Sequence, residues 1–227
     1  MENKKDLSKE LDKTLKKDNL EKVGIGISEV LTDAVLEEGI LKDIPIIGTL
    51  VGLSKAGASL KDRLLIKKIL SFLSEIDVIP AEKRASMIDD INDNGKFKIR
   101  VGEKLLYIID RCEDHEKAVL TAVMFKSFLT ERISYSDFIR SAKILEDVPI
   151  DELELFVNSN WCDLEIDVAA DLITWGLFEF QTHEVEIASV REANWPSAAK
   201  YELRGEVISA SISQIGIKIR ECLKNEF

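Results

Sequence analysis

Apolar residues recur at intervals of three and four along most of this 227-residue chain, a pattern that predicts a mainly α-helical protein. Leu7, Leu11 and Leu15 stand four apart in a stretch otherwise dense in charge. That spacing puts a thin apolar stripe on a helix, too narrow for a core of its own. It predicts an arm that docks on a larger body or on a sister chain. A basic face for a membrane surface is the other reading, diluted by Asp6, Glu10, Asp12 and Asp18. Residues 23–38 repeat the helical pattern with Ile27, Val30, Leu31, Ala34 and Val35, and Gly39 follows as a C-cap.

Residues 61–148 read as an antiparallel helical bundle with short connections. Leu65, Ile69, Phe72, Leu73 and Ile76 share one face. Pro80 suits the first turn of the next helix, with Met87, Ile88 and Ile91 inward. Leu105, Leu106, Ile108 and Ile109 mark another. Asp114 caps a helix whose broad apolar face holds Val119, Leu120, Val123, Met124, Phe128 and Leu129. Ser134 or Ser136 begins the last, carrying Phe138, Ile139, Ala142 and Leu145, and Pro149 ends it.

Residues 149–227 change character. Short helices over 151–158 and 168–177 precede a strand over 178–190. A turn at Asn194-Trp195-Pro196-Ser197 leads to a returning strand over 201–212. Ser213 then caps a final helix carrying Ile215, Ile219 and Leu223. This layout predicts a winged-helix-like α+β module. Reading DNA would require a basic second helix, whereas Asp163, Glu165, Asp167 and Asp171 stand there and repel phosphate. The module therefore reads as a protein-interaction or ligand-sensing part, with no DNA partner.

One stretch breaks the amphipathic pattern. Residues 44–60, IPIIGTLVGLSKAGASL, are nearly uncharged and rich in small side chains. Gly48 and Gly52 form a GxxxG pair that Ala56 continues by one turn, with Ile44, Ile47 and Val51 beside it. With residues 1–43 it makes an N-terminal arm and a small-residue apolar hairpin that either enters a membrane or packs in a soluble core. Its seven large apolar residues favour insertion by about 3 kcal/mol in all, and Lys55 opposes it by about 2.5–3.5 kcal/mol. A lone helix therefore inserts poorly. An oligomer changes the balance, because the small residues let helices approach closely and Lys55 can face a wet lumen. Lys61, Arg63, Lys67 and Lys68 follow the stretch and favour a cytosolic C-terminal domain.

Composition narrows the function classes. A formal net charge of −11 disfavours non-specific nucleic-acid binding. Three widely spaced cysteines, Cys112, Cys162 and Cys222, suit a reducing compartment, and the charged N-terminus does not read as a signal peptide. Neither His115 nor His183 has a partner at metal-ligand spacing, and no nucleophile elbow, phosphate loop or zinc-protease motif occurs. The expectation is a non-enzyme without cofactor or metal. The clearest local basic patch is Lys96, Lys98 and Arg100, which alternate with Phe97 and Ile99 and could hold an anionic ligand if extended. Solvated cations at a helix start are the plainer reading.

Three segments also carry a resemblance. Lys42-Asp43-Ile44-Pro45-Ile46-Ile47-Gly48, leading into the helix around Leu64 and Leu73, is one. Glu116-Lys117-Ala118, leading into Met124-Phe125-Lys126, is the second, and Ser134-Tyr135-Ser136-Asp137-Phe138 is the third. In layout the chain resembles small bacterial antiphage-defence effectors, in particular the membrane effector of Hailong-type nucleotide-signalling systems. The resemblance covers about half the chain and implies a soluble sensor joined to a small-residue membrane segment. It further implies a homo-oligomeric pore in the bacterial inner membrane, opened by a nucleotide messenger from a partner nucleotidyltransferase. The alternative is a cytoplasmic, non-catalytic adaptor or regulator that binds a protein through its C-terminal module.

Overall fold

A computed structural model describes residues 2–17, 20, 43–53, 59–97, 99–181, 186–190, 200–204 and 209–227. The predicted helix over 23–38, Lys55, Ala56, Lys98, His183 and the turn at 194–197 lie outside the described residues. The protein is mainly helical, with a small three-stranded antiparallel sheet.

In the N-terminal part, α1 (Glu2–Leu15) and α2 (Pro45–Leu53) pack on each other. The bundle follows as α3 (Leu60–Ile76), α4 (Ala81–Asp93), α5 (Val101–Arg111), α6 (His115–Leu129) and α7 (Tyr135–Asp147). The C-terminal module holds α8 (Ile150–Asn158), β1 (Asp163–Glu165), α9 (Ile166–Thr174), β2 (Phe178–Gln181), β3 (Glu186–Val190), β4 (Lys200–Arg204), β5 (Ser209–Ile212) and α10 (Gln214–Leu223).

Local chemistry explains most of the helix starts. Ser59 and Asp62 form a capping box at α3, and Ser134 and Asp137 form another at α7. The Asp114 carboxylate accepts the Lys117 backbone N–H at 2.9 Å, and the Ser213 hydroxyl accepts that of Gly216 at 3.0 Å. Pro80 and Pro149 precede α4 and α8, where a missing N–H costs nothing.

The bundle is built around α6. Small or apolar residues cover most of its circumference, and Ala118, Ala122, Phe125, Ser127 and Leu129 are all buried. The predicted broad apolar face is buried over most of the helix, because α3, α7 and α10 all pack on it, while Glu116 stays exposed and Val119 and Lys126 are half-buried. Phe125 sits 5.7 Å from Phe72 and 5.1 Å from Phe138, ring centre to centre. Phe97 meets Tyr135 edge-on at 4.8 Å.

The C-terminal module departs from the sequence expectation at three points. Strand β1 forms at Asp163–Glu165, where no strand was predicted. Next, α9 begins at Ile166 and stops at Thr174, because Gly176 takes a positive φ of 82° and bends the chain. Finally, each predicted long strand is recorded as two pieces. Phe178 pairs with Ile212 in the first sheet, and Glu186 pairs with Arg204 in a separate two-stranded sheet of β3 and β4 that keeps the same register. The three-stranded sheet has the order β1-β5-β2.

Among the described residues one hydrophobic cluster runs from Leu11 to Leu223 and takes in bundle and module together. Within the module, Gly216 lets α10 approach the turn after α9, since a Cβ there would lie 2.3 Å from the Leu177 carbonyl oxygen.

Candidate functional site

Two places were singled out from sequence, the small-residue stretch and the basic run. A third lies on the C-terminal module, where the acidic residues noted in the sequence are exposed.

In the small-residue stretch, Ile44, Ile46, Ile47 and Leu50 are buried. They meet α1, whose Leu11 and Leu15 are fully enclosed, so the thin leucine stripe docks on a larger body as its spacing predicts. Thr14 fixes the start of α2: its hydroxyl donates to the Glu10 carbonyl at 2.7 Å and accepts the Ile46 N–H at 3.3 Å. Gly48 and Gly52 occupy the outer side, with Val51 half-buried beside them. With Glu10, Pro45 and Thr49 they line an open groove of about 580 Å³. Among the described residues, a Cβ at Gly52 would meet nothing within 4 Å, so Gly52 serves no close helix contact there. No helix among the described residues is long and apolar enough to cross a membrane.

The basic run is divided. Lys96 is exposed in the turn after α4, where its backbone N–H donates to the Asn94 side chain at 3.1 Å. Arg100 is the N-cap residue of α5 and reaches Asp12 on α1 at 3.5 Å. Asp12 is the pivot of this junction. Its carboxylate accepts the Gly102 N–H at 3.1 Å, and Lys16 lies 3.8 Å away. Asn92 accepts the neighbouring Val101 N–H at 2.9 Å. Side chains from α1 and α4 thus satisfy the first-turn donors of α5, and a carboxylate meets the positive end of its dipole. Gly102 permits the approach, because a Cβ there would lie 2.7 Å from the Ser8 carbonyl oxygen.

A cavity of about 300 Å³ opens beside this junction, lined by Ser8, Lys9, Asp12, Lys13, Lys16, Arg100 and Glu103. Four cations border it, yet most are engaged. Lys13 pairs with Glu10 at 2.6 Å and Lys16 with Asp89 at 2.5 Å, while Asp12 and Glu103 add negative charge to the wall. Local charge is close to balanced, and the carboxylate of Asp12 already occupies the helix end where an anion would bind. No local sequence signal marks Asp12, since its partner stands 90 residues away.

The C-terminal module carries a charge asymmetry of a different order. Between Lys143 and Arg191 the chain has no lysine or arginine. Asp163 and Glu165 are the exposed pair on β1, and Asp167 and Asp171 are exposed on α9. Val168 stands among them, 60% exposed. Nearby order is tight: Arg220 donates to the Trp161 carbonyl at 2.8 Å, and its guanidinium lies 4.6 Å from the centre of the Phe156 ring. Burial pushes the Arg220 pKa down while the Cys162 sulfur opposes that shift. Cys162 itself is exposed, whereas Cys112 and Cys222 are buried.

No group of His, Cys, Asp and Glu among the described residues could hold a metal ion. No family model, curated protein or solved structure matches the chain.

Proposed function

We propose that this chain is a non-catalytic interaction protein that recognises a cationic protein partner through the acidic face of its C-terminal module. The observation carrying this reading is charge segregation. A long run free of lysine and arginine folds into β1 and α9, with Asp163, Glu165, Asp167 and Asp171 exposed around an exposed Val168. A one-signed field around an apolar contact speeds and orients encounter with a partner of opposite sign, and it repels nucleic acid. The winged-helix-like description of the module draws support from the antiparallel order β1-β5-β2 and from the antiparallel β3–β4 pair. A single helix stands between β1 and β2, where a helix-turn-helix reader of DNA places two.

The test is a fluorescence-anisotropy titration of the full chain with a labelled amphipathic helical peptide of lysine and leucine. Binding that weakens as salt rises, and that the Asp167→Lys, Asp171→Lys double variant abolishes, is the expected result. Equal affinity of the double variant and the parent would refute the reading.

A second reading keeps the messenger-gated membrane effector, and one observation favours it. The Gly48 and Gly52 face of α2 is open and offers small residues to a neighbouring helix. It requires α2 to leave α1 and extend: nine residues of helix cover about 14 Å, against about 30 Å of hydrocarbon. Flotation of the chain with anionic vesicles, with and without cyclic dinucleotides, tests it. Chain that stays at the bottom of the gradient in both conditions would exclude it.

A further inference from the structure

The chain carries its own complement to the acidic face. Leu60 and Leu64 at the start of α3 are 73% and 53% exposed. They stand one turn apart, and Lys67 continues the same helix face at the next step. Lys61 lies beside them, exposed, and Arg63 flanks the same ridge. The start of α3 is therefore an apolar ridge edged with cations. The opposite half of that helix is consumed by the core, where Ile66, Ile69, Phe72 and Leu73 are buried. The capping box of Ser59 and Asp62 holds the ridge helical to its first residue, so it is presented as a rigid edge. Two exposed leucines on a fixed helix are more than a scattered surface residue requires.

We infer that the acidic face of one copy receives the α3 ridge of a second copy of this chain. Charge complementarity carries the assignment. Asp163, Glu165, Asp167 and Asp171 are exposed on β1 and α9 together with Val168, and Lys61 and Lys67 accompany the exposed Leu60 and Leu64 on α3. Each combines exposed apolar surface with charge of one sign, and the signs are opposite. Both patches belong to every copy, so a second copy of the chain supplies each patch with its complement. Few side chains take part, well short of the roughly 800 Å² per partner of a standard interface, so association is weak, on the order of 10 µM. This inference rests on the acidic face being the recognition surface of the module, and it names the partner.

The experiment is sedimentation velocity of the full chain over a range of concentrations, with a charge-swapped pair of variants. One carries Lys61→Glu and Lys67→Glu, the other Asp167→Lys and Asp171→Lys. Lys61, Asp167 and Asp171 are exposed and Lys67 is half-buried, and matching thermal unfolding curves confirm that both variants fold. Expected are self-association of the parent that rising salt weakens, association weakened more than tenfold in each variant alone, and its recovery in an equimolar mixture of the two. Recovery in the mixture is the decisive result, since loss in one variant can have many causes and a restored pair has one. A parent that stays monomeric at about 100 µM, ten times the expected constant, overturns the inference, and so does a mixture that stays monomeric. The peptide titration separates the two levels. If the parent is monomeric yet still binds the cationic peptide through Asp167 and Asp171, self-recognition falls and the acidic face keeps its role.

Discussion

Arg84 donates from Nε to the carbonyl oxygen of Leu15 at 2.8 Å and so ties α4 to the end of α1. The same guanidinium donates to Lys17 at 2.6 Å, to Ile76 at 3.3 Å and to Ile79. These carbonyls lie at or just beyond the C-terminal ends of α1 and α3, where helices leave acceptors unpaired. Arg84 is 1% exposed, so one buried side chain closes two helix ends together. The Arg84→Ala variant leaves several buried carbonyls without donors. We expect a loss of about 3 kcal/mol or more, read as a lower urea midpoint. Arg84→Lys should recover only part of it, because one ammonium cannot span both ends.

The glycines divide sharply. Gly102→Ala forces a Cβ against the Ser8 carbonyl and the Asp12 carboxylate, and should cost about 1–3 kcal/mol. Gly52→Ala meets nothing and should be neutral or stabilising by up to about 1 kcal/mol. Denaturant titration of both variants beside the parent checks the contrast. A large loss at Gly52 would mean that its face has a partner.

Ile47 separates core from pore. It is fully buried, and its truncation to alanine leaves a hole between α1 and α2. The expected loss is about 2–5 kcal/mol in thermal or urea unfolding. An unchanged stability in aqueous buffer would indicate that α2 does not belong to the core.

Asp137 gives the fold an acid-sensitive joint. Burial opposes its charge, but hydrogen bonds from Lys218, at 2.7 Å, and from Ser134 outweigh that and hold its carboxyl below the ordinary 3.8. A depressed carboxyl stabilises the fold above its unfolded pKa, and the contribution disappears as pH falls through the folded value. Unfolding free energy should therefore drop below about pH 4, and Lys218→Met should flatten that drop. Urea titrations at pH 7 and near pH 3 measure both.

The thiols should react unequally. Burial pushes the Cys112 thiol up, only partly offset by its bond to Thr121 and the nearby Lys68 and Lys117. Cys222 is also buried and Cys162 is exposed. Near pH 8 a thiol reagent should label Cys162 rapidly, and Cys112 and Cys222 only on unfolding. Mass spectrometry of the labelled peptides identifies the site.

The sequence alone determined the helical class and most element starts. Those depend on neighbours in the chain: Asp114, Ser134 and Ser213 cap residues three positions ahead, and inward residues such as Ile69, Phe72, Ile219 and Leu223 recur with the helical period. The capping box of Ser59 and Asp62 is equally local, although it sits at the end of the small-residue stretch. Arg84 also left a trace, since it shares the inward spacing of Ala81 and Ile88. Tertiary structure decided what no local pattern can express. It buried most of α6, gave Asp12 to the N-terminus of α5, and made β1 by offering Asp163–Glu165 a free edge of β5. It also buried Ile46 and Ile47 against α1 rather than leaving them for lipid. An apolar residue records only that it avoids water. Whether lipid, a sister chain or its own core covers it depends on which distant surface arrives first at packing distance, and only the folded chain holds that information.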